Sequence, residues 1–110
     1  MPIKGEAVLL RAFFGEDDRF EGRPLHEMIV HEAREAGLAG ATVLRGAIGF
    51  GHSAVIRSSR TLALSEDLPV VVEIVDREER IEAFLPRLDE MMSGGLVTLE
   101  KVRVIEYRSE

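Results

Sequence analysis

Pro69–Val75, PVVVEIV, is the stretch that leaves this chain the least freedom. Five of its seven residues are β-branched, stiff about χ1 and suited to a pleated strand. Apolar residues fill adjacent positions there, so both faces of the strand need cover. Glu6–Phe14, EAVLLRAFF, has the same character and is interrupted only by Arg11. Each of these strands is followed by a segment of helical period. From Pro24 to about Ala36, the residues Leu25, Met28, Ile29, Ala33 and Ala36 recur at three-to-four spacing. His26, Glu27, His31, Glu32, Arg34 and Glu35 take the opposite side. Pro24 suits a first helical turn and Gly37 a stop. After PVVVEIV, Asp76 with Glu79 three residues on reads as a capping-box-like start. Ile81, Phe84, Leu85, Leu88, Met91 and Met92 then form an apolar stripe, with Pro86 inside it predicting a kink. Ser93-Gly94-Gly95 ends that helix.

Two more strands complete the pattern, about Ala41–Ile48 and Leu96–Tyr107. In the last one, Val97, Leu99, Ile105 and Tyr107 share a face with Lys101 and Arg103, while Val102 and Val104 face the other way. The segment GEDDRFEGRP is a polar connection, Thr61–Leu64 reads as a strand extension, and Ser65–Pro69 is a turn cluster. Strand, helix, strand occurs twice. The expected fold is α+β, a ferredoxin-like βαββαβ sandwich whose four-stranded antiparallel sheet carries two helices on one face. At 110 residues the whole chain, 1–110, is one domain. Its strands carry only isolated charges (Arg11, Arg45, Glu73), so the helix-free face is apolar as well. A closed homo-oligomer is the simplest way to cover such a face.

Composition removes several classes of function. The formal charge of −6 opposes nucleic-acid binding, which draws on Lys and Arg meeting phosphates. With no cysteine there is neither a disulfide nor thiolate chemistry, which fits a reducing, cytoplasmic setting. The apolar run Ala7–Phe14 is short, contains Arg11 and lacks the marks of a secretion signal. No stretch approaches the roughly 20 apolar residues of a membrane span.

The residues that could carry function gather in Gly40–Arg60, GATVLRGAIGFGHSAVIRSSR. Gly46, Gly49 and Gly51 permit unusual backbone angles, and they let main-chain N–H groups approach an anion. Arg57 and Arg60, with Ser53, Ser58 and Ser59 around them, form a donor set suited to phosphate or carboxylate. The competing reading is a solvated turn. Gly94 and Gly95 serve as a helix stop, a role compatible with an anion contact. His26 and His31 stand five apart, about 500° around a helix, and project in different directions. With His52 distant in sequence, no metal site is expected. Glu16, Asp17 and Asp18 read as solvated loop. No nucleophile has an oriented base beside it, and no carboxylate pair is set acid against base, so an enzyme is not expected.

Gly49-Phe50-Gly51 after a βαβ unit resembles the start of the large ligand loop of PII signal-transduction proteins. EDDRFEGRPLHE, EAGLAGATVLRGAIGFG, LSEDLPVVVEIVD and LVTLEKVRV resemble a PII-like family known as domain of unknown function 190, over nearly the full length. That resemblance implies a homotrimer of ferredoxin-like subunits with ligand clefts between neighbours. It implies a small anionic effector, an adenine nucleotide, held between the large loop (46–60) and the glycine turn before the last strand. The residues so implicated are Gly46, Gly49, Phe50, Gly51, His52, Ser53, Arg57, Arg60, Ser93, Gly94, Gly95 and Arg108. PII relatives often control a membrane transporter or channel through the loop. The chain departs from PII in several places. His52 follows the GFG where PII has a basic residue, and Leu96 stands where PII has lysine. Arg108 alone represents the paired C-terminal arginines, with Glu106 where another cation is expected. The only Tyr is Tyr107, so the loop lacks the tyrosine that many PII proteins modify. The alternative expectation is a structural or metal-handling trimer like CutA, which shares the fold and binds no nucleotide.

Overall fold

The computed structural model describes residues 3–59 and 67–108. Strand β1 (Gly5–Gly15) is followed by a tight hairpin of β2 (Arg19–Phe20) and β3 (Arg23–Pro24), then helix α1 (Leu25–Glu35). Next come β4 (Thr42–Arg45), β5 (Ile48–Gly49), β6 (Arg57–Ser58) and β7 (Pro69–Asp76). Helix α2 (Glu78–Met91) and β8 (Leu96–Val104) complete the chain. The main sheet runs β4-β7-β1-β8, with antiparallel neighbours throughout. Two βαβ halves laid side by side in this order make the ferredoxin-like sandwich expected from the sequence. The expected extension over Thr61–Leu64 lies outside the described residues.

Register sorts every strand residue onto one of two faces. Leu10 and Ala12 of β1 pair with Ile74 and Val72 of β7, and all four are buried beneath the helices. Ile29 of α1 and Ile81 and Leu88 of α2 close this layer from above. The core is mainly aliphatic, with Phe14 and Phe84 buried among the Leu, Ile and Val side chains. Leu9, Arg11 and Phe13 alternate with the buried set and lie half-buried on the helix-free face, opposite Val75, Glu73 and Val71. That face is the one read as apolar from the sequence, and no element among the described residues covers it.

Helix α1 ends in a Schellman motif. Gly37 takes φ +78°, its N–H donates to the Arg34 carbonyl at 3.0 Å, and Leu38 N–H donates to Ala33 at 3.0 Å. Leu38 then packs on the core, the contact that commonly accompanies this stop. Helix α2 starts differently from expectation. Asp76 does not cap it: Arg77 holds the N-cap position, and no side chain bonds the free amides there. Asp76 is the last residue of β7 and points into the buried layer, 2% exposed. Its Oδ2 accepts from Ala39 N–H at 2.9 Å and Arg80 Nε at 3.3 Å, and Oδ1 accepts from Arg77 N–H at 2.7 Å. One buried carboxylate therefore ties the α1–β4 connection to the start of α2. The helix continues through Pro86 from Glu78 to Met91 without a break.

Strand β8 stops at Val104 rather than Tyr107. Its partner β1 begins at Gly5, opposite Val104, so no ladder remains beyond that point. The tail instead folds across the end of the sheet, where Tyr107 Oη donates to the Ala39 carbonyl at 2.8 Å. The small hairpin β2–β3 turns through Glu21 and Gly22, both with positive φ, a geometry matched to strand twist.

Candidate functional site

The loop read as irregular begins with a short hairpin stem. Strand β4 ends at Arg45, before the expected Ile48, because its partner ladder ends at Pro69, which has no N–H to donate. Gly46 N–H makes the last bond, to the Pro69 carbonyl at 2.6 Å. A Cβ on Gly46 would stand 2.9 Å from Pro69 Cγ, and one on Gly49 3.2 Å from the same atom. These glycines therefore let the chain leave the sheet across a proline ring. It then pairs with itself: Ile48 lies opposite Ser58, Gly49 opposite Arg57, and Ser59 N–H donates to Ala47 at 2.8 Å. Gly51 and Ala54 close a turn, Ala54 N–H to Gly51 carbonyl at 2.9 Å.

The base of this stem is fixed by residues that sequence reading set aside. Arg45 pairs with Glu16 across the end of β1. Asp67, at φ +55°, accepts Asp17 N–H at 3.0 Å on Oδ1, and Glu16 N–H reaches the Leu68 carbonyl at 2.8 Å. A Cβ on Gly15 would run into the Asp67 carboxylate. Glu16, read as solvated, is thus part of the clamp that holds both ends of the loop, while Asp17 keeps its side chain exposed and joins the clamp through its main-chain N–H. Their pairing joins positions about 30 and 50 residues apart, which no local pattern signals.

Among the sequence-predicted residues, Gly49, Phe50, Gly51, His52, Ser53 and Arg57 follow one another along the stem and its tip. His52 reaches the second glycine turn: its Cε1 lies 4.0 Å from where a Cβ on Gly94 would be. The large loop and the Ser93–Gly95 turn therefore share one end of the molecule, although about 40 residues separate them. Gly95 takes φ +100°, and a Cβ there would sit 2.5 Å from the Phe13 carbonyl oxygen. Gly94 is open, with only His52 near. The Ser93–Gly95 turn also borders a groove of about 600 Å³ between α2 and β8, lined by Leu85, Pro86, Met92 and Val97 and rimmed by Glu82 and Asp89. Arg57 is half-buried beside Gly49, and its side chain makes no hydrogen bond or ion pair among the described residues. Arg60 lies outside the described residues.

Arg108 is not at this end. It follows Tyr107, which is bonded to Ala39 at the opposite end of the sheet, and it pairs with Glu106. Within one protomer, then, the two glycine turns come together and the C-terminal arginine does not join them. Ile48, Phe50, Val55 and Ile56 are 46–70% exposed, so the loop presents an apolar surface outward. Among the described residues, no group of three or more His, Asp or Glu side chains is placed to hold a metal ion. Nor is any described helix long and apolar enough to cross a membrane.

The four-stranded antiparallel sheet with its two helices recurs in solved structures of low sequence identity. The protein shares this fold with a PII-like signalling protein from Thermus thermophilus, at a TM-score of 0.68 and 21% identity, over 92% of this chain and 91% of that one. It also resembles CPII, a nitrogen regulatory PII-like protein from Thiomonas intermedia K12 solved with ADP, AMP and bicarbonate. There the TM-score is 0.59 and the identity 16%, over 94% of this chain and 91% of CPII. Sequence is more specific. Residues 7–104 match DUF190, described as an uncharacterized ACR, and the chain belongs to that family. A UPF0166 protein of Aquifex aeolicus is 46% identical over 97 residues, 88% of this chain and 91% of the relative. The UPF0166 protein MJ1524 of Methanocaldococcus jannaschii is 35% identical over 106 residues, covering 96% and 95% of the two chains.

Proposed function

We propose that this protein is a PII-like regulator. Three copies form a ring, a small anionic effector binds in the clefts between them, and the loop of residues 46–60 changes order to engage or release a partner. The observation that carries this reading is the meeting of His52 with Gly94, which puts both glycine turns at one mouth. An effector there can accept hydrogen bonds from main-chain N–H groups around Gly51 and Gly94, where nothing but His52 lies within 4 Å of a Cβ position. Arg57 supplies a guanidinium fork suited to two phosphate oxygens, with Ser53 nearby on the tip and Arg60 next along the chain. Arg108, at the far end of its own protomer, would reach the cleft only from a neighbouring copy.

An adenine nucleotide is the effector this donor set favours, and the CPII structure with ADP and AMP supports that choice. The apolar groove between α2 and β8 opens beside the Ser93–Gly95 turn and offers a surface for a purine. The switch is an order–disorder change: the effector contributes binding energy only to the ordered loop and so shifts the population toward it. The exposed Ile48, Phe50, Val55 and Ile56 would then contact the partner, a membrane transporter or channel.

Hydrogen exchange on the full-length protein tests the reading. Amides of residues 46–59 should gain at least tenfold protection with saturating ADP or AMP, and α1 should not change. Equal exchange of the loop with and without bound nucleotide would overturn the switch.

A further inference from the structure

Charge is unevenly divided along this chain. All 20 Asp and Glu residues lie outside residues 36–65, where the charged residues are Arg45, Arg57 and Arg60 alone. That stretch is therefore +3 and the remainder −9, in a chain whose total is −6. Arg45 is engaged at the base of the loop by Glu16. Asp17 and Asp67 belong to the same base, joined through the Asp17 N–H. Glu82 and Asp89, beside the Ser93–Gly95 turn, sit on α2 and not on the hairpin.

Above its base the hairpin carries no carboxylate. Gly49 lies opposite Arg57, and the chain turns between them over residues 50–56, every one of which is exposed. Phe50, at 70%, is the most exposed large apolar side chain among the described residues. Val55 and Ile56 stand open beside it, and Ile48 extends the apolar surface down the stem. Only glycine, alanine, Ser53 and His52 separate these side chains, and His52 reaches the Gly94 turn. A partner protein would thus find few directional donors or acceptors on the tip. The order along the hairpin is that of a bilayer interface instead. Apolar side chains are outermost, a guanidinium stands at the neck, and the acidic groups are held back at the base. Apolar side chains gain by entering the boundary between headgroups and acyl chains. Each cation behind them gains about fivefold in binding from anionic headgroups.

We propose that this hairpin tip docks on an anionic bilayer surface. Phe50, Val55 and Ile56 enter the interface, and Arg57 meets lipid phosphates. The lipid is then a partner in its own right, additional to any protein that the loop engages. Arg57 is also the guanidinium assigned to the effector, so the test is made without nucleotide. The lipid reading therefore stands or falls apart from the effector reading.

The test is co-sedimentation of the full chain with sucrose-loaded vesicles of phosphatidylcholine alone, or with one third of it replaced by phosphatidylglycerol. Binding to the anionic vesicles should exceed binding to the neutral ones at least fivefold and should fall as salt is raised. Phe50→Ser should weaken it about tenfold. Arg57→Gln should weaken it about fivefold. Ile105→Ser, at a side chain 66% exposed past the end of β8, should bind as the native chain does. No binding to anionic vesicles, equal binding to both kinds, or an undiminished Phe50→Ser variant overturns the proposal. Equal losses in Ile105→Ser and Phe50→Ser would mark general apolar adhesion and would overturn it too. Absence of vesicle binding, with the loop still protected by nucleotide, would leave the regulator standing with a protein as the loop's partner. Vesicle binding in a chain that answers to no nucleotide would uphold the lipid surface and remove the effector.

Discussion

Gly94 and Gly95 are neighbours with opposite structural demands, and replacing each by alanine separates geometry from function. Gly95 adopts φ +100°, a region where a side chain costs about 1–3 kcal/mol. Its new Cβ would also meet the Phe13 carbonyl at 2.5 Å and Met92 Cε at 2.9 Å. The methionine can move, but the carbonyl belongs to the central strand and cannot, adding about 1–3 kcal/mol of overpacking. Gly95→Ala should therefore lose about 2–6 kcal/mol, a fall in Tm on the order of 10 °C or more. At Gly94 a Cβ meets nothing closer than His52 at 4.0 Å, and stability should stay within about 0.5 kcal/mol. Urea unfolding followed by far-UV circular dichroism, at fixed protein concentration, reads both values. Losses within about 0.5 kcal/mol of each other would refute the placement of this turn. If the effector approaches the Gly94 main chain, Gly94→Ala should weaken nucleotide binding while the fold stays intact.

Two further outcomes follow from named contacts. Asp76→Ala removes a buried carboxylate with three donors, including the Arg80 guanidinium, and should cost about 3–5 kcal/mol in the same unfolding assay. Arg57→Ala, with no intramolecular side-chain partner among the described residues to lose, should leave stability within about 0.5 kcal/mol. It should weaken nucleotide affinity by roughly 10- to 100-fold in calorimetric titration, the worth of a charge-assisted hydrogen bond.

The fold was legible because its strands and helices announce themselves locally. PVVVEIV can only be a two-sided strand, and the Leu25 and Ile81 stripes have a single period. What stayed hidden depended on partners distant in sequence. Asp76 looks like a helix cap from its neighbours alone, and only the packed α1–β4 connection shows why its oxygens turn inward. Leu96–Tyr107 reads as one strand because Ile105 and Tyr107 keep the alternation, but the ladder needs β1, which begins at Gly5. The stem of the loop was missed for a related reason: two-residue strands carry no periodicity, and Gly49 is a poor strand former. The candidate site was partly legible. Glycine spacing and the arginines marked the loop, and the family resemblance paired it with Ser93–Gly95. The clamp made by Glu16, Arg45 and Asp67 had no local signature, since acidic loop residues usually face water.

The central claim is that an adenine nucleotide binds at the meeting of the two glycine turns. The most direct measurement is calorimetric titration of ADP, AMP and ATP into the full-length protein at pH 7.5, with bicarbonate present and absent. The account predicts saturable binding of at least one nucleotide at one site per protomer. A matching thermal shift of several degrees should appear at about 100 times the dissociation constant, where ligand adds roughly 2.7 kcal/mol. No heat and no shift with any of the three, under either condition, would contradict it.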